Sequence, residues 1–333
     1  MVAEGWLRSQ RHPEADLWIY NYTEKTQYKN HWTPETLACR GLILDAAGEI
    51  VARPFPKFFN YGDPQVGDLP MEPFTVKEKI DGSLGILYLL DSQPRLATRG
   101  SFTSEQAIEG TRMLGGYQLA APHHVTPLFE IVYPENRIVV DYGRRRELVL
   151  LAALNKASGR EIPNAVNWTG PIAERHNEPS LTSLLGRERS NAEGYVVTFQ
   201  AGLRVKIKHA EYVRLHKLIT GVNARHVWEI LKEGGDLDAM LDGLPDEIHQ
   251  WISETRRTLY ARFYDEESNC QIVFGDRPVD ADRKALAAYL TASPVDPAVL
   301  FRMLDGKPYD DLIWKAIKPE PTTPDTVWTG AAA

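Results

Sequence analysis

The feature that most constrains the fold is a change of hydrophobic period near residue 209. Before it, apolar runs are short and are separated by turn residues, as at 84–90 and 195–199. Such runs are typical of β-strands joined by hairpins. After it, apolar residues recur every three to four positions, as at 210–220 and 246–264, which is typical of amphipathic helices. The sequence therefore predicts an α+β region followed by an all-helical region.

Composition is that of an ordinary globular chain, with 43% hydrophobic and 25% charged residues. This balance excludes disorder, collagen and coiled coil as the overall class. At 333 residues the chain is long enough for two separate cores. We predict a first domain at 1–218, a helical domain at 219–317 and a flexible Pro- and Thr-rich tail at 318–333.

Targeting and redox signals are few. No run of about 18 apolar residues is present, and the N-terminal segment lacks the apolar core of a signal peptide. We therefore expect no membrane association. The two cysteines, Cys39 and Cys270, have no metal-ligand spacing around them. A reducing, cytoplasmic location fits this usage.

Charge is unevenly distributed along the chain. The net charge is −7, yet residues 1–218 hold 26 Lys and Arg against 25 Asp and Glu, whereas residues 219–333 hold 12 against 20. A site for a polyanion is therefore expected in the first two-thirds of the chain, where basic clusters such as 144–146 lie in a nearly neutral background. Other candidate contacts for such a polyanion are Arg53, Arg137, Phe59 and Tyr61.

Lys79 stands between two apolar segments. Asp81 follows two residues later, and Gly82 comes directly after it. One interpretation is a surface lysine beside a hairpin turn, since Asp-Gly is a common hairpin connector. The other is a nucleophilic lysine at a strand end, where a glycine lets a nucleotide approach the backbone. On an extended chain Asp81 shares the face of Lys79 and could orient its amine.

Two carboxylates accompany apolar runs downstream. Strand alternation places Glu130 on the face opposite Phe129 and Ile131. A carboxylate inside a strand is costly unless it meets a cation or a ligand, so a salt bridge and a ligand contact are both open. Glu193 precedes Gly194 and another apolar strand, which by itself is a weak signal.

Residues 203–208 alternate strictly, so Arg204, Lys206 and Lys208 share one face of a strand. A solvated basic face is the usual explanation of such a row. The alternative is a ladder of cations that binds the successive phosphates of a triphosphate.

Taken in order, these elements resemble the motifs of the covalent nucleotidyltransferases, the superfamily of DNA ligases, RNA ligases and capping enzymes. The matching pieces are Lys79-Ile80-Asp81-Gly82, Arg99-Gly100, Phe129-Glu130, Glu193-Gly194 and Lys206-Ile207-Lys208, which are similar to motifs I, Ia, III, IV and V. Residues 39–63, the KIDGS segment, FEIVYPENRIVVDY and KIKHAEYVRLH are similar to the single-strand RNA ligases of T-even phages. The resemblance covers roughly residues 37–217.

The resemblance implies a nucleotidyltransferase fold with ATP-grasp-like antiparallel sheets, followed here by the helical region. It also implies roles: Lys79 is adenylylated by ATP, Glu130 binds the ribose, and Glu193 helps to hold Mg²⁺ or Mn²⁺. Lys206 and Lys208 contact the phosphates. Further nucleotide-binding positions are Arg40, Lys57, Gly82, Arg99 and Tyr212, and Arg99 stands where a lysine is expected.

A free lysine is protonated at neutral pH and cannot attack phosphorus. We expect Lys206, Lys208 and a bound Mg²⁺ to lower the pKa of Lys79 and to stabilise the charge on the leaving pyrophosphate. The resemblance implies an ATP-dependent RNA ligase that joins 5′-phosphate and 3′-hydroxyl ends through lysyl-AMP and RNA-adenylate. We expect it to act as a monomer in RNA repair, on single-stranded or broken tRNA-like substrates.

Alternatives stay open at this point. The same chemistry would serve a nick-sealing ligase acting on duplexes or a GTP-dependent capping-type enzyme. A protein that keeps the fold and binds nucleotide or RNA without turnover belongs to another class.

Overall fold

The computed structural model describes residues 1–237 and 246–323. The chain divides into two compact units, one formed by Met1–His216 and one that begins at Lys217. The predicted domains of 1–218 and 219–317 stay a prediction, and residues 324–333 of the predicted tail lie outside the described residues. In the described part of the chain, no helix combines the length and apolarity that crossing a membrane requires.

The first unit contains fifteen strands, most of them short. Their bounds are β1 Leu7–Arg11, β2 Leu17–Tyr22, β3 Arg40–Asp45, β4 Ile50–Ala52, β5 Phe59–Asn60, β6 Phe74–Lys79, β7 Ser83–Leu90, β8 Gln93–Ala97, β9 Leu119–Ala120, β10 Val125–Val132, β11 Glu147–Asn155, β12 Asn167–Trp168, β13 Arg175–His176, β14 Gly194–Phe199 and β15 Arg204–Lys208.

These strands form three larger sheets and one two-stranded ribbon. The N-terminal sheet has the order β1-β2-β3-β4, the middle sheet β11-β10-β7-β8 and the five-stranded sheet β13-β6-β14-β15-β5, while β12 pairs with β9. Every strand pairing is antiparallel apart from that of β15 with β5. The α+β class and the antiparallel sheets expected from the sequence are confirmed.

Helices in the first unit are short, and several begin at a side-chain cap. They are α1 Glu24–Tyr28, α2 Pro34–Ala38, α3 Glu105–Leu114, α4 Leu181–Leu185 and the start of α5 Ala210–Gly221, with a 3₁₀ turn at Pro134–Asn136. Ser104 accepts a hydrogen bond from the Ala107 backbone amide at the start of α3, and serine is among the residues that favour this capping position.

Helices are the only regular secondary structure among the described residues of the second unit. Its remaining helices are α6 Ala224–Lys232, α7 Asp246–Gly275, α8 Arg283–Thr291, α9 Pro297–Leu304 and α10 Asp310–Ala316. Asp296 caps α9 by accepting from Ala298, with Pro297 as its first residue. The sequence placed the end of α7 at Tyr264, whereas the helix continues to Gly275. The polar run at 265–269 hid this continuation, although Cys270 is fully buried two turns after Phe263.

Cores of the first unit lie against the faces of its sheets. One cluster joins the N-terminal and middle sheets and includes Ile19, Ile43, Ile86 and Leu128. Another covers one face of the five-stranded sheet and includes Val76, Tyr195 and Val205. By strand alternation, the opposite face of that sheet presents Lys77, Lys79, Lys206 and Lys208, and this face borders the pocket described next.

Candidate active site

A pocket of about 370 Å³ lies in the first unit between the middle and five-stranded sheets. All of the site residues predicted from the sequence line it: Arg40, Lys57, Lys79, Asp81, Gly82, Arg99, Glu130, Glu193, Lys206, Lys208 and Tyr212. These residues come from positions 40 to 212, so only the fold brings them together. Their individual roles stay predictions.

Lys79 is the last residue of β6, and Ser83 begins β7. The two strands do not pair with each other: β6 pairs with β13 and β14, and β7 pairs with β8 and β10. The hairpin interpretation of Asp81-Gly82 is therefore wrong, because this link passes from one sheet to another.

Gly82 packs against the strand that carries Glu130. A Cβ atom at Gly82 would lie 2.7 Å from the Ile131 carbonyl oxygen and 3.1 Å from Cγ of Glu130. Such contacts are too close for a side chain, so glycine is required here by the approach of β10. The close packing of β10 explains why residue 82 is a glycine, without a nucleotide near the backbone.

Glu193 joins the two lysine-bearing strands at the pocket. One of its carboxylate oxygens lies 2.7 Å from Nζ of Lys79, and the other lies 2.9 Å from Nζ of Lys208. Its side chain is only 3% exposed. A buried carboxylate of this kind needs counter-charges, and the two ammonium groups supply them.

The glycine after Glu193 explains how one carboxylate reaches both lysines. Gly194 begins β14, the strand between β6 and β15, and it stands opposite Lys79 on one side and Lys208 on the other. Its φ is +140°, and a Cβ atom there would lie 2.0 Å from the Ile207 carbonyl oxygen. Only glycine fits this position, which gives the weak Glu-Gly signal a structural cause.

Lys79 itself is held in its charged form. Burial favours the neutral amine, but nearby carboxylates, above all that of Glu193, outweigh it, so the pKa of Lys79 lies above its ordinary value. The lowering of the Lys79 pKa that we expect from Lys206 and Lys208 is therefore not found. The reason is that Glu193 contacts the Lys79 amine directly.

The pocket destabilises the positive charge of Lys206. Burial, reinforced by the positive charges of Lys79 and Lys57, lowers the pKa of Lys206 to about 7. Glu130 shows the converse effect, because burial raises the pKa of its carboxyl to about 8 despite the nearby Lys79. Near neutrality the ligand-free pocket thus favours a neutral carboxyl at Glu130 and holds Lys206 close to its titration midpoint.

Both carboxylate oxygens of Asp81 accept hydrogen bonds from other groups of the protein. Its Oδ2 accepts hydrogen bonds from the Val139 and Val140 amides, each at 2.9 Å, and its Oδ1 accepts one from the Tyr212 hydroxyl at 2.8 Å. Asp81 therefore fixes the segment after β10 and the first turns of α5 at the pocket. The amine of Lys79 is oriented instead by Glu193.

A second ionic cluster in the pocket was missed by sequence reasoning. Glu161 accepts from Nζ of Lys77 at 2.6 Å and from Nη2 of Arg204 at 3.0 Å, and the Arg204 guanidinium lies 4.8 Å from the centre of the Phe55 ring. Arg204 is only 6% exposed, so the solvated-face interpretation is wrong for this member of the row. Lys77 alternates with Lys79 and could have been found, but nothing near Glu161 in the sequence points to the pocket.

The donor set at Glu193 suits a divalent cation. It is a buried carboxylate whose two oxygens already hold two positive charges, and Mg²⁺ or Mn²⁺ prefers such hard oxygen ligands. Bound there, the metal would take the place of an ammonium group beside Glu193 and would supply charge stabilisation at the phosphates.

The candidate RNA-contacting arginines differ in how far they are engaged. Arg146 is paired with Glu109 and Glu135, and Arg137 lies 3.3 Å from Asp141. Arg53 donates to the Lys156 carbonyl oxygen. Arg144 is exposed and makes no ion pair with the residues that the structure describes.

The chain is similar in sequence to known RNA ligases. The sequence model of a family described as RNA ligase, of the T4 type, matches residues 38–212. A putative RNA ligase of Thermovibrio ammonificans is 29% identical over 56% of this chain and 55% of its own length, and RNA ligase 1 of bacteriophage TS2126 is 31% identical over 56% of this chain and 53% of its own. The chain spans about half the length of these curated relatives. An archaeal ATP-dependent RNA ligase structure covers 92% of this chain and 94% of its own at 13% identity, with a TM-score of 0.47.

The family match covers more than half of the chain and includes the segment from Arg40 to Tyr212 that carries the predicted site residues. The chain therefore belongs to the T4-type RNA ligase family.

Proposed function

We propose that the protein is an ATP-dependent RNA ligase that joins 5′-phosphate and 3′-hydroxyl RNA ends through lysyl-AMP and RNA-adenylate intermediates. The observation that carries the proposal is the Lys79 amine at the pocket, 2.7 Å from Glu193, with Lys206 and Lys208 lining the same space. An amine nucleophile beside a group of cations suits attack on a triphosphate.

In the first step, the Lys79 ammonium gives up a proton to water, and the lone pair of the resulting amine attacks the α-phosphorus of ATP. A nitrogen–phosphorus bond forms while the bond to pyrophosphate breaks. Glu193 holds the amine in place and Lys206 and Lys208 stabilise charge on the phosphates. Glu130 lines the pocket, and we assign to its ionised carboxylate a hydrogen bond accepted from a ribose hydroxyl.

In the following steps, AMP passes from Lys79 to an RNA 5′-phosphate, and a 3′-hydroxyl displaces AMP to form the phosphodiester. We assign Arg40, Lys57, Arg99 and Tyr212 to the nucleotide site, together with Gly82. Asp81 acts by positioning Tyr212 and the segment around Val139. Glu193 holds the divalent metal.

The partner is RNA, single-stranded or cleaved like a tRNA hairpin, and the setting is RNA repair by a monomer in the cytoplasm. Family membership supports the class of nucleic acid. The two cysteines, Cys39 and Cys270, are free and buried, which supports a reducing compartment.

Sealing assays test this function. The protein is incubated with ATP and Mg²⁺ and with linear single-stranded RNA bearing a 5′-phosphate and a 3′-hydroxyl, with a nicked duplex, or with a cleaved tRNA hairpin. We expect joining of the linear or hairpin substrate. Joining of the nicked duplex alone would indicate the nick-sealing alternative, and covalent labelling with GTP but not ATP would indicate a capping-type enzyme.

A further inference from the structure

The face of the five-stranded sheet that points away from the pocket carries polar groups beside its apolar core. Glu78 on β6 alternates with Lys79, so its side chain lies on this outer face. In the ladder of β6 with β13, His176 stands opposite Val76, and the Glu78 amide donates to the Glu174 carbonyl oxygen at 2.8 Å. Residues that stand opposite each other in a ladder share a face. Glu78, Glu174 and His176 therefore meet on the outer face, at one edge of the sheet.

These three side chains are spaced to ligate one ion. A carboxylate oxygen of Glu78, a carboxylate oxygen of Glu174 and a ring nitrogen of His176 all lie within 4.8 Å of one another. Two ligands of one zinc ion lie within about 4.4 Å of each other, since each bond is about 2.0–2.2 Å long. Glu174 is exposed, whereas Glu78 and His176 are half-buried. A small movement of the exposed carboxylate therefore completes the set.

A buried hydroxyl next to this cluster has no partner. Tyr195 on β14 stands directly opposite Glu78 and is fully buried. Its ring meets the His176 ring edge-on, with centroids 5.1 Å apart. Within the described residues the Tyr195 hydroxyl makes no hydrogen bond. An unpaired polar atom at such a place points to an ordered water or an ion that satisfies it.

The charges around the cluster favour a further cation. Arg189 donates to Oε2 of Glu78 at 2.7 Å, and its side chain is 42% exposed. Glu174 forms no ion pair with any residue for which the structure gives a placement. Arg189 therefore balances only one of the two carboxylates, and an ion bound to Glu78 competes with this arginine.

We propose that Glu78, Glu174 and His176 form a binding site for Zn²⁺ on the outer face of the five-stranded sheet. One imidazole nitrogen with two carboxylate oxygens suits Zn²⁺, whereas Mg²⁺ prefers oxygen ligands alone. A water completes the coordination of the ion and pairs with the Tyr195 hydroxyl. The ion connects β13, an edge strand of only two residues, to β6.

This site lies behind the pocket and is distinct from the divalent-cation site at Glu193. The two are close in the chain, because Glu78 precedes Lys79 and Tyr195 follows Glu193 by two residues. Zn²⁺ on the outer face therefore stabilises the end of β6 at which Lys79 stands. The inference does not rest on the proposed function, since the ion needs neither nucleotide nor RNA in order to bind.

Equilibrium dialysis of the full chain against Zn²⁺, with Mg²⁺ in excess, tests the site. We expect the wild type to retain an ion whose affinity falls at least about tenfold in His176→Gln, because loss of a ligand costs no less than loss of a group that supports one. His123→Gln is the matched control, since it replaces an exposed histidine of the same unit, and it should bind Zn²⁺ as the wild type does. Glu193→Gln should also keep this ion.

Arg189→Gln guards against a variant that merely misfolds. Removing the competing guanidinium should tighten Zn²⁺ binding several-fold, a gain that a damaged fold would not give. Thermal unfolding gives a second readout: Zn²⁺ should raise the melting temperature of the wild type and not that of His176→Gln.

Four results would overturn the site. They are no Zn²⁺ binding by the wild type, unchanged affinity in His176→Gln, weaker binding in Arg189→Gln, and loss of the ion in Glu193→Gln.

Discussion

Lys206 shows how a single buried amine can couple nucleotide binding to pH. With its pKa lowered to about 7, the amine is mostly neutral at pH 8 in the ligand-free protein. Phosphate groups brought next to it favour the charged form and raise that pKa again. Binding must then take up a proton.

We therefore predict that nucleotide binding at pH 8 takes up close to one proton at Lys206, and that affinity falls as the pH rises above about 7. Calorimetry in buffers of different ionisation enthalpy measures the uptake. Lys206→Arg keeps a permanent positive charge, so its binding should lose this uptake. Equal uptake by Lys206→Arg and the wild type would show that another group titrates.

At the scale of elements, Glu161 connects β6 and β15 within the pocket. Lys77 on β6 and Arg204 on β15 are both half-buried or buried, and both depend on this carboxylate. Burial alone would raise the pKa of Glu161. Lys77 and Arg204 outweigh this effect and hold the pKa below its ordinary value. Removing the negative charge would leave Lys77 and Arg204 without a carboxylate, although Lys77 also donates to the Leu151 carbonyl oxygen at 2.7 Å.

We predict that Glu161→Gln lowers the free energy of unfolding by about 3–5 kcal/mol at pH 7, the usual cost of breaking a buried pair. The control is Glu211→Gln, which breaks a pair with Arg214 that is about half exposed and should cost much less, because solvent screens an exposed pair. Urea unfolding compares them. Because the pKa of Glu161 is lowered, the advantage of the wild type should shrink as the pH falls through that lowered value. A cost no greater than that of the control would contradict the account.

The same scale explains what the sequence could and could not predict. Hydrophobic alternation predicts the strands, and the type of residue at position 104 indicates a helix cap. The motifs, taken in order, predict the residues of the pocket. The link at Asp81-Gly82 could not be predicted, because a strand's partner depends on the whole sheet and not on its flanking turn. Glu161 was missed for a related reason: its partners Lys77 and Arg204 lie 84 and 43 positions away in the chain, so no local spacing marks it.

At the scale of the whole molecule, charge separates the two parts of the chain. Residues 1–218 are nearly neutral and residues 219–333 are acidic, so phosphate contacts with RNA are expected on the first unit. Among the candidate arginines, Arg144 is exposed and unengaged by acidic groups of the described residues.

We predict that Arg144→Glu weakens RNA binding several-fold and reduces the slope of log affinity against log salt by about 1, the change for one lost phosphate contact. Arg283→Glu makes the same charge change at an exposed position that begins α8 in the acidic part of the chain, and it should leave the slope unchanged. Filter binding across a salt series measures both. An unaltered slope for Arg144→Glu would remove this arginine from the RNA surface.

The proposed function depends most directly on covalent attachment of AMP to the Lys79 amine. Lys79→Arg keeps a cation next to Glu193 but removes the nucleophile. Incubation with ATP labelled at the α-phosphate, followed by a denaturing gel, should give a labelled band for the wild type and for the surface control Lys307→Arg, and none for Lys79→Arg at an unchanged melting temperature. A labelled band that persists in Lys79→Arg would contradict the account.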